Sequence, residues 1–286
     1  MLLFNANTWQ QAKQHAESGL NTVKKWLDLN ILTLNIKKTK YSCYSINKRG
    51  QPDSDFSLTI HRHQDATDCT CQPLDRATTI KYLGVQIDCN LNWIDYTDLL
   101  SRRTRKLIPI FRNVRNVLDS KTIKTVYFAL GQTLITYGIV GWGSSTRKAM
   151  EPVNKAQKAL LRTMANRPYR YPSNQLFTEL RLLDVRQLYI LTALTHFHKD
   201  MTKHQTRSHT YMTRQRQANT LLLPKQHTTF GQRHYLFHGP KRYNIVNNEM
   251  PGIETTKDKT YRRLVTNWLI ECGRERANLM IDHVVK

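Results

Sequence analysis

At Asp95 the hydrophobic period of this chain changes, and that change restricts its fold more than any other feature. Before it, apolar and polar residues alternate, as in Phe56, Leu58 and Ile60 with Ser57, Thr59 and His61 between them. After it, Leu100, Thr104, Leu107, Phe111, Val114 and Leu118 step by four and three. Alternation is the signature of a half-buried strand, and the three–four step that of a helix with one apolar face. One change of period implies a sheet-containing first part and an all-helical second part. That is an α+β chain: a small antiparallel sheet with one packed helix, then basic helices and a tail.

The hinge of this pattern is Thr78 to Trp93, TTIKYLGVQIDCNLNW. Ile80 and Tyr82 fall on one strand face, and Leu83, Val85 and Ile87 on the other. Gly84 interrupts the run, and a glycine inside a strand marks a bulge or a close backbone approach. Pattern alone favours a buried strand with a bulge. The other reading is a hairpin that presents its turn to a ligand backbone.

Upstream, Leu2-Leu3-Phe4 reads as a strand stub. Asn7 or Thr8 can cap a helix carrying Trp9, Ala12, Ala16, Leu20, Val23 and Leu27 on one side. Asn30 to Thr39 reads as a turn and short strand, Tyr41 to Ile46 as another, and 64–77 as a loop. Downstream, Pro109 predicts a kink in the first helix. A second helix carries Ile123 to Tyr137, capped at Asp119 or Ser120. Gly138, Gly141 and Gly143 predict a small apolar loop around Trp142. A third helix from about Lys148 to Ala165 turns Val153, Ala156, Leu160 and Met164 inward and Lys148, Lys155, Lys158 and Arg162 to another face. Asp184 with Gln187 is a capping-box pattern for a helix through His198. Residues 203–217 predict a mobile linker. A strand-like piece at Tyr235-Leu236-Phe237 precedes a last helix with Tyr261, Leu264, Val265, Trp268 and Leu269 on one side.

Charge follows the same division. Residues 1–100 hold 11 Lys and Arg against 10 Asp and Glu, and the remainder holds 33 against 11. So uneven a distribution points to a polyanion, with nucleic acid first and an anionic membrane surface second. No run is long and apolar enough to span a bilayer, and Met1 to Trp9 lacks the basic head of a secretory signal. The reading is an intracellular chain, nuclear or cytoplasmic. Five scattered cysteines predict free thiols.

Paired carboxylates, which hold metals at a reacting phosphate, do not occur as adjacent aspartates. Asp53-Ser54-Asp55 is the nearest substitute and sits in a turn. His61, His63, Cys69 and Cys71 are zinc-type ligands, but one residue between the cysteines is too few for the usual knuckle. The cations of the third helix are the stronger signal. At one-turn spacing they repel each other, and a phosphate backbone would remove that cost.

Several segments resemble one family. Trp26 to Thr39, WLDLNILTLNIKKT, resembles the segment after the catalytic loop in reverse transcriptases of non-LTR retrotransposons, jockey-like elements in particular. The family's N-x-L-x-L-N-x-x-K-T is matched by Asn30, Leu32, Leu34, Asn35, Lys38 and Thr39. Lys81 to Asp88, KYLGVQID, is similar to its primer-grip hairpin, and Leu91-Asn92-Trp93 follows as in the family. Tyr137-Gly138, Trp142-Gly143 and Gln157-Lys158 to Arg162 resemble its thumb. Phe230-Gly231 through Gly239-Pro240 to Trp268-Leu269 is similar to its tail. Tyr96 stands where the family often has His.

The resemblance implies a distal palm remnant over 1–94, a thumb-like domain over 95–200, and a basic linker and tail over 201–286. The family's catalytic aspartate pair would lie immediately before Met1-Leu2-Leu3-Phe4. The expectation is therefore a truncated RNA-directed DNA polymerase that retains template–primer contacts and has no catalytic residues or metal of its own. The intact family enzyme would use a divalent cation, magnesium first. Lys38 resembles a lysine near the incoming nucleotide's phosphates. Tyr82, Leu83 and Gly84 would contact the primer backbone, and Lys106, Lys155, Lys158 and Arg162 phosphates. The partners implied are RNA or DNA as a template–primer duplex, and the missing polymerase portion. The alternatives are a stand-alone nucleic-acid- or partner-binding module derived from a retroelement, or a remnant without function.

Overall fold

The structure, a computed structural model, describes residues 1–45, 50–60, 71, 73–200 and 221–282. The chain divides into two compact units, Met1–Leu91 and Asn92–Lys286.

The first unit is built on α1 (Trp9–Leu29), whose N-cap is Thr8, with its side chain accepting from Gln11 N–H. Ala16 of this helix is buried in a small core with Leu58, Ile60 and Leu74. The expected strand at Leu2-Leu3-Phe4 does not form; the Phe4 ring lies against Gly19, where any Cβ would meet it. Asn30 to Thr39 is a turn followed by a 3₁₀ turn, Ile36–Lys38, capped by the Asn35 side chain. β1 (Lys40–Tyr41) is shorter than the expected 41–46 strand and pairs parallel with β2 (Asp75–Arg76), not antiparallel. Phe56 to Ile60 contributes one bridge, Thr59 to Pro73, instead of a strand. Its alternation is real, since Leu58 and Ile60 are buried, but among the described residues the segment makes only this bridge and no ladder.

The hinge stretch is a hairpin and not a bulged strand. β3 (Thr79–Tyr82) pairs antiparallel with β4 (Val85–Asp88), Tyr82 opposite Val85. Leu83 and Gly84 form the two-residue turn, with φ of 46° and 85°. Positive φ at both central residues gives a turn whose twist matches the strands it joins, which is why glycine stands at the second position.

The second unit is helical over its described residues. α2 (Ile94–Arg105) and α3 (Ile108–Val114) replace the single kinked helix. Pro109 lies in the first turn of α3, where a missing N–H costs no hydrogen bond. α4 (Ser120–Val126), capped by Asp119, continues through a π-helical stretch, Tyr127–Gln132, into α5 (Thr133–Thr136). The glycine-rich segment is a short helix, α6 (Ile139–Trp142), entered through Gly138 at φ 62°. Trp142 is fully buried, donates to Tyr137 O at 3.0 Å and meets Tyr96 edge-on at 5.9 Å. Tyr96 is thus a core residue.

α7 (Arg147–Met164) packs against α2 and α3, and α8 (Ser173–Leu180) follows it. α9 (Val185–Lys199) begins at the expected capping box of Asp184 and Gln187. It is buried on nearly every side, because α5, α6, α7, α11 and α12 all pack on it. The Gln187 side chain donates to Leu269 O at 2.6 Å, and Arg274 donates to Asp184 at 2.8 Å. The predicted linker 203–217 lies outside the described residues.

Beyond it, α10 (Thr229–Arg233) leads to α11 (Tyr235–Glu249), a helix where the Tyr235-Leu236-Phe237 strand was expected. Gly239 is required there because a Cβ would run into the Phe197 ring. His238 is buried with no hydrogen-bond partner on either ring nitrogen among the described residues. Burial first, then the cations Arg242, Lys241 and Arg233, push its pKa down to about 2. α12 (Asp258–Asp282) is interrupted at Gly273, whose φ and ψ of 72° and 171° are not helical. Its Tyr261, Val265 and Leu269 are buried as the periodicity requires.

Candidate nucleic-acid interface

α7 carries the most organised set of cations. Thr146 caps it by accepting from Ala149 N–H. Val153, Ala156, Leu160 and Met164 are buried, as their spacing predicts. Gln157 is buried too, and its amide donates to the Tyr127 hydroxyl at 2.9 Å and to Leu183 O at 3.0 Å. This locks the helix to its neighbours and leaves the remaining face to charge.

The cations on that face are held differently. Lys148 and Lys155 are exposed, and Lys155 pairs with Glu151 at 3.6 Å. An exposed pair of that kind contributes about 0–1 kcal/mol, so a phosphate could displace the carboxylate at little cost. Lys158 is half-buried; burial lowers its pKa and the Arg274 guanidinium adds to the effect. An anion seated beside Lys158 would relieve both effects.

Arg162 has a second task. Its guanidinium donates to Tyr171 O at 3.2 and 2.9 Å and to Ser173 Oγ at 3.2 Å. It therefore fixes the loop between α7 and α8. Sequence periodicity cannot show this, because the acceptors lie beyond the end of the helix.

Lys106 is exposed at the C-cap of α2, just after Arg102, Arg103 and Arg105 in its last turn. Cations there are stabilised by the helix dipole and remain available to solvent. α2 and α7 pack together, so the second unit presents Lys106 and the α7 cations from two packed helices.

The first unit holds the other candidates. Lys38 is exposed at the end of the 3₁₀ turn. Tyr82 and Leu83 are exposed at the hairpin tip, Leu83 at 72%, beside Gly84. A large apolar side chain with positive φ at a protruding turn is uncommon. The hairpin thus projects backbone and an apolar tip outward.

The zinc candidates His61, His63 and Cys69 lie outside the described residues. Cys71 is disulfide-bonded, which corrects the expectation that all five thiols are free; Cys43, Cys89 and Cys272 are. Among the described residues no helix is long and apolar enough to cross a membrane.

One exposed group escaped the sequence reading. Tyr169, between Arg167 and Arg170 in the α7–α8 loop, is 87% exposed. Three arginines and two tyrosines within Arg162–Tyr171 were the available signal, since aromatics interleaved with arginines mark nucleic-acid surfaces.

Among known proteins, the chain is similar to a Drosophila melanogaster protein described as "Probable RNA-directed DNA polymerase from transposon BS", 22% identical over 189 residues. The match covers 65% of this chain and 20% of that protein. No family model matches the chain. No solved structure matches it. The similarity supports a distant reverse-transcriptase-like relationship.

Proposed function

We propose that this chain is the nucleic-acid-gripping part of a reverse-transcriptase-like retroelement protein of the jockey-like kind, corresponding to its distal palm, thumb and tail. It holds a template–primer duplex of RNA or DNA through phosphates and does not itself catalyse polymerisation. The observation that carries this reading is α7, whose apolar side is fully buried while its other face is cationic, in a region with 33 basic and 11 acidic residues. Lys106, Lys155, Lys158 and Arg162 contact phosphates. Tyr82, Leu83 and Gly84 approach the primer backbone, and Lys38 a nucleotide phosphate. The distant similarity to a transposon polymerase supports the same reading. The chain acts in the nucleus or cytoplasm and needs no resident cofactor.

Salt dependence tests the grip. Titration of the full chain with a fluorescent RNA–DNA duplex should give an affinity that falls linearly on a log–log salt plot. The double variant Lys155→Gln, Lys158→Gln should flatten that slope by about two, one per lost phosphate contact. Lys155→Gln alone, at an exposed position, should move folding stability by no more than about 0.5 kcal/mol. An unchanged slope would remove α7 from the interface. Arg162→Gln belongs in a separate experiment, because it also releases the α7–α8 loop.

Primer extension tests the chemistry. With magnesium or manganese, the purified chain should yield no template-dependent product. Any such product would overturn the non-catalytic reading.

A second reading rests on the first unit. Trp26, Leu29, Ile31 and Leu32, at and just beyond the end of α1, are 50–95% exposed. Contiguous exposed apolar residues mark polypeptide interfaces. A partner polypeptide, such as the remaining polymerase portion, would cover them.

A further inference from the structure

The α7–α8 loop holds one aromatic ring out into solvent and supports it from behind. Asn166, at φ 51°, turns the chain out of α7. Arg162 ties the loop's far end through Tyr171 O and Ser173 Oγ. Arg167 stacks over the Tyr171 ring at 4.8 Å and pairs with Glu179 at 3.1 Å. The Tyr171 hydroxyl donates to Glu179 as well. These contacts occupy Tyr171 and Arg167 within the protein. They leave Tyr169 and Arg170 exposed, and the Arg162 guanidinium lies 5.9 Å from the Tyr169 ring centroid.

We propose that Tyr169 is a stacking platform for an unpaired nucleobase, with Arg170 contacting the adjoining phosphate, so that the loop grips single-stranded nucleic acid. The inference rests on the phosphate-binding reading of α7 and adds the class of ligand. The Arg162 guanidinium meets one face of the Tyr169 ring, and at 87% exposure the opposite face is open to a partner. A nucleobase fits, because its π-face stacks on an aromatic irrespective of sequence while a neighbouring arginine meets the backbone charge. Arg162 sits behind this platform and keeps it preorganised, which lowers the cost of ordering the loop on binding. A base paired within a duplex is already stacked on its neighbours and cannot use the platform.

The test uses the full chain with two probes, a short single-stranded oligonucleotide and the matching duplex. Tyr169→Ala should weaken single-strand binding by about 5- to 150-fold, the range of one lost base stack. Tyr169→Phe keeps the π-face and should stay within about twofold of the parent chain. Duplex affinity and the salt slope should be unaffected by either change, since no phosphate contact is removed. Arg170→Gln should lower the single-strand salt slope by about one. Equal single-strand affinities for the parent chain and Tyr169→Ala, while both bind duplex, would overturn this inference alone. So would a Phe variant as weak as the Ala variant, which would point to the hydroxyl instead of the ring. A parent chain that binds neither probe would overturn the α7 reading together with it.

Discussion

Leu160→Ala should cost about 2–5 kcal/mol of folding stability, read from urea unfolding of the full chain. Leu160 is fully buried in one core cluster with Phe111, Ile123, Tyr127, Leu161 and Leu176, supplied by five helical segments. Its side chain approaches Gly131 so closely that a Cβ there would lie 3.2 Å from Leu160 Cδ2. A site this tightly enclosed cannot collapse onto the missing methyls, so the cavity term adds to the lost transfer energy. The neighbouring Lys155→Gln should leave stability nearly untouched. The contrast between two positions on one helix separates its structural face from its binding face. A loss below about 1 kcal/mol for Leu160→Ala would mean that the core is loosely packed.

Acid should destabilise the second unit through His238. Burial and three nearby cations hold its folded pKa at about 2, while an unfolded histidine titrates near 6.5. The unfolded chain therefore binds more protons than the folded one below about pH 6.5. The contribution of neutral His238 is complete above that pH and is lost progressively as pH falls towards about 2. Between pH 7 and pH 5 the loss from this group alone is about 2 kcal/mol. His238→Asn removes the titration. Its own stability will differ from the parent's, but its decline between those two pH values should be smaller by about that amount. Parallel declines for the two proteins would show that His238 finds a proton-accepting partner in the folded state.

Much of the second unit was legible because its signals are local. The α7 stripe of Val153, Ala156, Leu160 and Met164 needs no knowledge of neighbours, and neither does the Asp184–Gln187 capping box. The hairpin was half legible: its apolar residues were evident, but Gly84 read as a bulge because the turn geometry depends on Leu83 also adopting positive φ. Phe56, Leu58 and Ile60 alternate, yet alternation reports burial on one side and not a pairing partner. Tyr235-Leu236-Phe237 read as a strand, whereas it opens a helix in which Gly239 makes room for the Phe197 ring. At the candidate interface, the α7 cations were visible in order. The tie from Arg162 to Tyr171 O, the closeness of Lys158 to Arg274 and the support behind Tyr169 were not, since each depends on residues brought together only by folding.

The π-helical stretch Tyr127–Gln132 has a consequence for how this helix tolerates changes in length. Ile123, Tyr127, Gly131 and Ile135 are all buried, each four residues from the last. On a regular helix of 3.6 residues per turn, each such step drifts by about 40°, so Ile135 would end about 120° away from Ile123. The wide turn absorbs close to one residue and returns Ile135 to the core. It behaves as a one-residue insertion retained inside a helix, with its surplus hidden by local unwinding. Deleting one residue within 128–130 would therefore restore regular helical geometry and keep Ile135 facing the core, since steps of four, three and four residues come within about 20° of whole turns. At its present length the wide turn is the arrangement that fits, and a regular helix of the same number of residues would turn Ile135 out of the core.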